Sequence, residues 1–226
     1  MSQAQARSCE LAGTVHLVGP AEYIGARVAP VLAPLASDGL RFRIQTGNRE
    51  RIYAALDEGQ ADLAVTASLP DAERYGCVEI ERERLLLVAA PGFADRVTAR
   101  DMTPDLLSEQ PFVAYDETLP LIRPFFAAVF GTAPQGQAVA IAHDLRIVLR
   151  LVASGMGWTV LPDYLCREAL SSGALVELRA PGQNPENRLY VAWHRGALRH
   201  ARVVHARDRL VAALTTGAVP SIWTPL

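Results

Sequence analysis

Short apolar runs alternate with segments of helical period along nearly the whole chain, and most of the runs close on a Gly, Pro or polar pair. Thr14–Val18 closes on Gly19-Pro20, Arg41–Thr46 on Gly47-Asn48, and Asp62–Thr66 on Ala67-Ser68. Between them, Ile24, Val28, Val31, Leu32 and Leu35 recur at helical spacing, as do Ile52, Ala55 and Leu56. Runs of strand length separated by helix-length segments predict parallel strands joined by right-handed crossovers. Pro30 and Pro34 fall inside the first helical pattern and should weaken or kink it. Asn48 is an N-cap candidate for the second helix.

The middle of the chain continues the alternation with one longer strand. Cys77–Ala90 begins with the charged stretch Glu79–Arg84 and ends at Pro91-Gly92. Phe112–Tyr115, Ala138–Ala142, Trp158–Leu161 and Leu189–Trp193 read as strands. Helices are expected over Leu121–Phe130, Asp144–Ser154, Pro162–Leu170 and Ala201–Leu214. In Asp144–Ser154, Leu145, Val148, Leu149 and Val152 form an inner face, and Arg146 and Arg150 an outer one. Asp144 suits its N-cap and Gly155 its end. The fold class is α/β.

All 22 basic residues are arginine, against 24 acidic ones, for a net charge of −2. A lysine-free chain has no Schiff-base lysine and no P-loop. Near-neutral charge disfavours broad nucleic-acid binding by these residues. Cys9, Cys77 and Cys166 are odd in number, with no CxxC, and suit a reducing compartment. No apolar run approaches the ~18 residues of a membrane span, and Met1–Glu10 has no signal-peptide stretch. The expectation is a cytoplasmic chain without membrane contact.

No catalytic or metal constellation emerges. His143-Asp144 is better read as a loop residue and a helix cap than as metal ligands. His194, His200 and His205 have no zinc spacing, and the arginine-rich run around them reads as a solvated helix face. His16, inside a strand, reads as a core histidine. Gly155-Met156-Gly157 ends a helix rather than opening one, so it reads as a C-cap and not a dinucleotide fingerprint. No cofactor and no metal is expected. What remains is a set of polar positions after strands, where open α/β sheets bind ligands.

The order of these segments resembles the effector-binding domain of LysR-type transcriptional regulators. Gly13–Gly19 followed by a helix with Pro30 and Pro34 looks like its start. Leu56, Gly59, Asp62, Leu63 and Ala64 are similar to its Leu-x-x-Gly-x-x-Asp-Leu-Ala stretch. Leu85–Val88 before Pro91 resembles its crossover strand, and Leu151–Pro162 its helix, glycine pair, strand and Leu-Pro ending.

The resemblance implies two Rossmann-like lobes of the periplasmic-binding-protein type II kind, joined by two crossover strands. Lobe I would be 13–84 plus 187–216 and lobe II 85–186, with 1–12 a linker remnant and 217–226 a tail. The implied effector contacts are Pro20, Ala21, Gly47, Asn48, Thr66, Ala67, Tyr115, Asp116, His143 and Asp144. His143-Asp144 departs from the small polar pair common in the family. The implied partners are a small-molecule effector and a second copy of the chain, through Ile24–Leu35 and Phe42–Leu56. DNA would be contacted only through a winged helix-turn-helix, which residues 1–12 are too short to hold. The implied role is ligand sensing and not catalysis. A transport solute-binding protein and an enzyme using His143 with Asp144 or Asp116 are the competing readings. Without lysine, an anionic group held by a charged side chain needs an arginine fork, and Arg123 and Arg146 are the nearest candidates. If neither points inward, the carboxylates favour a ligand with donors or positive charge.

Overall fold

The computed structural model describes residues 12–97 and 102–216. Cys9, the 1–11 part of the linker and the 217–226 tail lie outside the described residues. Two compact units form: one runs to Glu81 and resumes at Arg188, and the other is Arg82–Asn187. The chain passes between them within two strands, β4 (Tyr75–Ala89) and β9 (Glu186–His194).

The first unit opens with β1 (Gly13–Gly19), α1 (Ala21–Tyr23), a π-helical turn (Ile24–Val28) and α2 (Ala29–Ser37). It continues with β2 (Leu40–Thr46), α3 (Arg49–Asp57) and β3 (Leu63–Thr66). β1 pairs in parallel with β2 and β3, while β9 runs antiparallel to β3. The expected parallel sheet is therefore mixed. The proline pattern is resolved without breaking the helical run. Pro30 comes directly after the π-helical turn, where the turn widens so that Ala29 N–H reaches the Ile24 carbonyl, and Pro34 lies inside α2.

Val18, Ile52, Ala55, Leu56, Ala61, Ala64 and Tyr75 form one core under α3. Val203, Ala206, Leu210 and Leu214 of α9 (Ala201–Thr215) are also buried. His16 is not a core residue. Strand alternation turns it away from buried Val15 and Leu17, its side chain is 46% exposed, and its ring lies 3.4 Å from Asp62. The arginine-rich C-terminal face is not purely solvated either. His205 meets Asp38 at 3.1 Å, and Arg207 lies over the Trp193 ring at 4.9 Å.

In the second unit the outer half of β4 is buried on both faces, which explains its unbroken apolar run. Leu85, Leu87 and Ala89 face one core; Leu86 and Val88 face the other. The first core is closed by α4 (Pro91–Val97), α5 (Pro104–Ser108) and α6 (Ile122–Phe130). The second is closed by α7 (Leu145–Ala153) and α8 (Asp163–Ser171). Leu145, Val148, Leu149 and Val152 of α7 are buried, each contributing about 1.5–3 kcal/mol of apolar burial. β7 (Trp158–Pro162) and β8 (Val176–Glu177) flank β4, both antiparallel to it. β5 (Val113–Ala114) and β6 (Ala140–Ile141) pair in parallel. Cys166 sits in the second core, where burial pushes its thiol up to about 12, keeping it protonated and inert.

Candidate functional site

In the first unit, parallel pairing brings three strand ends to one edge. Gly19 is opposite Thr46, and Gly47 N–H donates to the Gly19 carbonyl at 3.2 Å. Pro20-Ala21, Gly47-Asn48 and Thr66-Ala67 thus share that edge. Asn48 is committed to its helix: its Oδ1 accepts from the Arg51 N–H at 3.1 Å, capping α3. Thr66 is 1% exposed, and its hydroxyl accepts from the Ser68 N–H at 3.1 Å. The Tyr53 hydroxyl donates to the Ser68 carbonyl at 2.9 Å. Thr66 therefore shapes the turn that presents Ala67 and Ser68. Tyr53 and Arg49 are functional candidates that strand-end reasoning passes over. The signal for them was an i, i+4 pair on the first turns of α3.

In the second unit, β5 and β6 bring Tyr115, Asp116, His143 and Asp144 to one edge by the same logic. The Tyr115 and His143 rings meet edge to face at 5.8 Å. Asp116 Oδ1 accepts from the Thr118 N–H at 2.8 Å and from its hydroxyl at 2.6 Å. Asp144 caps α7, accepting from the Arg146 N–H at 2.9 Å. The Arg146 guanidinium grips the same carboxylate, Nε at 2.9 Å from Oδ1 and Nη2 at 2.5 Å from Oδ2. The Arg146 hydrogen bond is the main cause holding the Asp144 carboxyl below its ordinary value, with the backbone bond and the guanidinium charge adding to it against burial. The carboxylate stays ionised and its charge is matched at home.

Neither arginine expected to reach a ligand is free for it in this arrangement. Arg146 grips Asp144, and Arg123 donates through Nε to the Thr118 carbonyl at 2.9 Å. The Arg146 contact also weighs against Asp144 as a catalytic acid. Asp144 is a clamped anion, unsuited to general acid work at neutral pH. Among the described residues no hydrogen bond joins His143 to Asp144 or Asp116, and no three His, Cys, Asp or Glu side chains group to hold a metal. An open groove of about 460 Å³ runs along the outer side of α7, lined by Asp144, Arg146, Ile147, Arg150 and Leu151. A void of about 10 Å³ beside Tyr115, Leu145 and Thr159 has room for no more than a water.

The profile of the LysR substrate binding domain matches residues 9–215. This chain belongs to that family. It is 35% identical over 208 residues to the HTH-type transcriptional regulator AbaB of Streptomyces antibioticus, covering 89% of this chain and 69% of AbaB. It spans a smaller share, about 60%, of other relatives. The fold matches ArgP from Mycobacterium tuberculosis with a TM-score of 0.78 at 17% identity, over 95% of this chain and 70% of ArgP. It also matches full-length LysG from Corynebacterium glutamicum with bound effector Arg, with a TM-score of 0.72 at 19% identity, over 95% of this chain and 71% of LysG. The LysR domain of this chain thus has the α/β fold of the periplasmic-binding-protein type II kind, and it is an effector-binding domain of the LysR-type regulators. Its relatives are transcriptional regulators and not enzymes. Among the described residues, no helix is long and apolar enough to cross a membrane.

Proposed function

We propose that this LysR domain senses a small molecule held between its two lobes, and that the bound ligand shifts a closure equilibrium that controls DNA binding elsewhere in the regulator. The lobes are taken as residues 13–84 with 187–216 and 85–186, a few residues from where the compact units divide, at Glu81–Arg82 and Asn187–Arg188. The contact set is Pro20, Ala21, Gly47, Asn48, Thr66 and Ala67 on one lobe and Tyr115, Asp116, His143 and Asp144 on the other. The observation that carries this reading is the gathering of each set at the carboxyl ends of parallel strands, where α/β folds bind ligands. A ligand acts this way only by binding one arrangement better than the other.

The effector is an amino acid or a close relative of one. The arginine bound to LysG supports this, and so does Asp116, whose charge no arginine among the described residues matches as Arg146 matches Asp144. Pairing of two copies would use the β2 edge. The apolar residues Ile24, Val28, Val31, Leu32 and Leu35 are buried in their own unit, whereas Ile44 on β2 is 43% exposed. β2 ends its sheet, and an unpaired strand edge invites a partner.

Thermal unfolding of the chain against the protein L-amino acids tests the reading. A ligand at a hundred times its Kd adds about 2.7 kcal/mol. For a chain of this size that raises Tm by about 5–10 °C. A panel in which no compound raises Tm contradicts the proposal.

A further inference from the structure

We infer that Arg49 is the residue that holds the carboxylate of the effector. The inference rests on the effector-binding reading of the strand edge and adds to it the chemical group recognised there. The chain has no lysine, so a side chain that is always charged and pairs with an anionic ligand must be an arginine. Arg146 and Arg123, the arginines nearest the other edge, are engaged with Asp144 and with the Thr118 carbonyl. Arg51, two residues into α3, leans towards Gln45, with Nη2 3.5 Å from its Oε1.

Arg49 is the first residue of α3, directly after Asn48. Its side chain is exposed, and it forms no ion pair among the described residues. Its guanidinium carbon lies 5.6 Å from the centre of the Tyr53 ring. That distance suits a cation over an aromatic face. Tyr53 is itself pinned, through its hydroxyl, to the Ser68 carbonyl at 2.9 Å, in the turn ordered by buried Thr66. One contact chain therefore runs from Thr66 through Ser68 and Tyr53 to Arg49, all on the edge that also carries Gly47 and Asn48. A guanidinium resting on a fixed ring loses little rotamer freedom when it binds, and both edges of its fork remain available. A planar fork matches a carboxylate bidentately, which a point charge does not.

Calorimetric titration of the chain with the protein L-amino acids and their C-terminal amides tests the assignment, in wild type, Arg49→Gln and Arg49→Lys. In wild type, an amino acid that binds loses at least tenfold in affinity as its amide. Arg49→Gln lowers affinity for the acid by about 10–100-fold, the range of a charge-assisted pair, and leaves affinity for the amide unchanged. Arg49→Lys recovers part of the loss. Equal binding of acid and amide, or an Arg49→Gln chain that binds the acid as wild type does, overturns the assignment and leaves the effector reading standing. A wild-type chain that takes none of the compounds overturns the effector reading and the assignment with it.

Discussion

Gly157→Ala unfolds the second unit, or leaves it so weakened that its urea midpoint drops out of the native range. A Cβ at this position would lie 2.2 Å from the Pro111 carbonyl oxygen and 2.7 Å from its carbon, with φ at +156°. Both atoms are backbone, so no side chain can swing away. The same oxygen accepts the Trp158 N–H at 3.1 Å, and Phe112 bridges to Trp158 in parallel. A methyl at Gly157 therefore prises β7 from the segment that leads into β5. We expect a loss of about 4 kcal/mol or more, beyond the usual run of single substitutions. Gly155→Ala is the control two residues away. Its φ is +91°, but a Cβ there meets nothing within 4 Å, so only backbone strain of about 1–3 kcal/mol is expected. Equal losses for the two variants would refute the close-approach argument.

Trp158→Ala costs about 3–5 kcal/mol, the range for deleting a large core aromatic. Trp158 is fully buried, stacked on Phe112 at 5.1 Å and on Phe126 at 5.6 Å. Its indole N–H donates to the Leu107 carbonyl at 3.0 Å, tying β7 to the end of α5. Trp158→Phe separates the two contributions. It keeps much of the stacking and leaves the Leu107 carbonyl without its donor, for about 1–3 kcal/mol. Urea unfolding of the three chains checks the order wild type, Phe, Ala. A Phe variant as unstable as the Ala variant would place the energy in the hydrogen bond and not in the stack.

Periodicity made the strand and helix order legible because burial imposes it. The α7 pattern was plain since one face meets the core and the other carries Arg146, Ile147 and Arg150. The apolar run Leu85–Ala89 was legible as a strand for the opposite reason, both faces being covered. The short helices α4 and α5 went unseen: Pro91 reads as the stop of the strand before it, whereas Pro91 and Pro104 each sit at a helix start. Gly155 was correctly read as the end of α7: Gly155 N–H reaches the Val152 carbonyl and Met156 N–H the Leu151 carbonyl, a Schellman closure. Gly157 has a separate cause, the approach of Pro111 from a distant segment, and no local pattern announces that. His16 was misplaced since a strand residue's face depends on which neighbours cover it.

At the candidate site the strand ends were legible, and the partners of their side chains were not. Nothing in the spacing of Asp144 and Arg146 shows that the guanidinium turns back onto its own helix cap. That one contact matches the Asp144 charge within its own helix, which the spacing alone does not reveal. Tyr53 lies 15 residues from Ser68 along the chain, and only the fold brings its hydroxyl to the Ser68 carbonyl.

We propose that an effector engages the carboxyl ends of the strands in both units. Amide chemical shifts of the chain, recorded while the most stabilising amino acid of the panel is titrated in, test it most directly. Shifts are expected to concentrate at Ala21, Gly47, Asn48, Thr66 and Ala67 and, with the same midpoint, at Tyr115, Asp116, His143 and Asp144. Shifts confined to one unit, or gathered along Ile147, Arg150 and Leu151 in the groove outside α7, would contradict it.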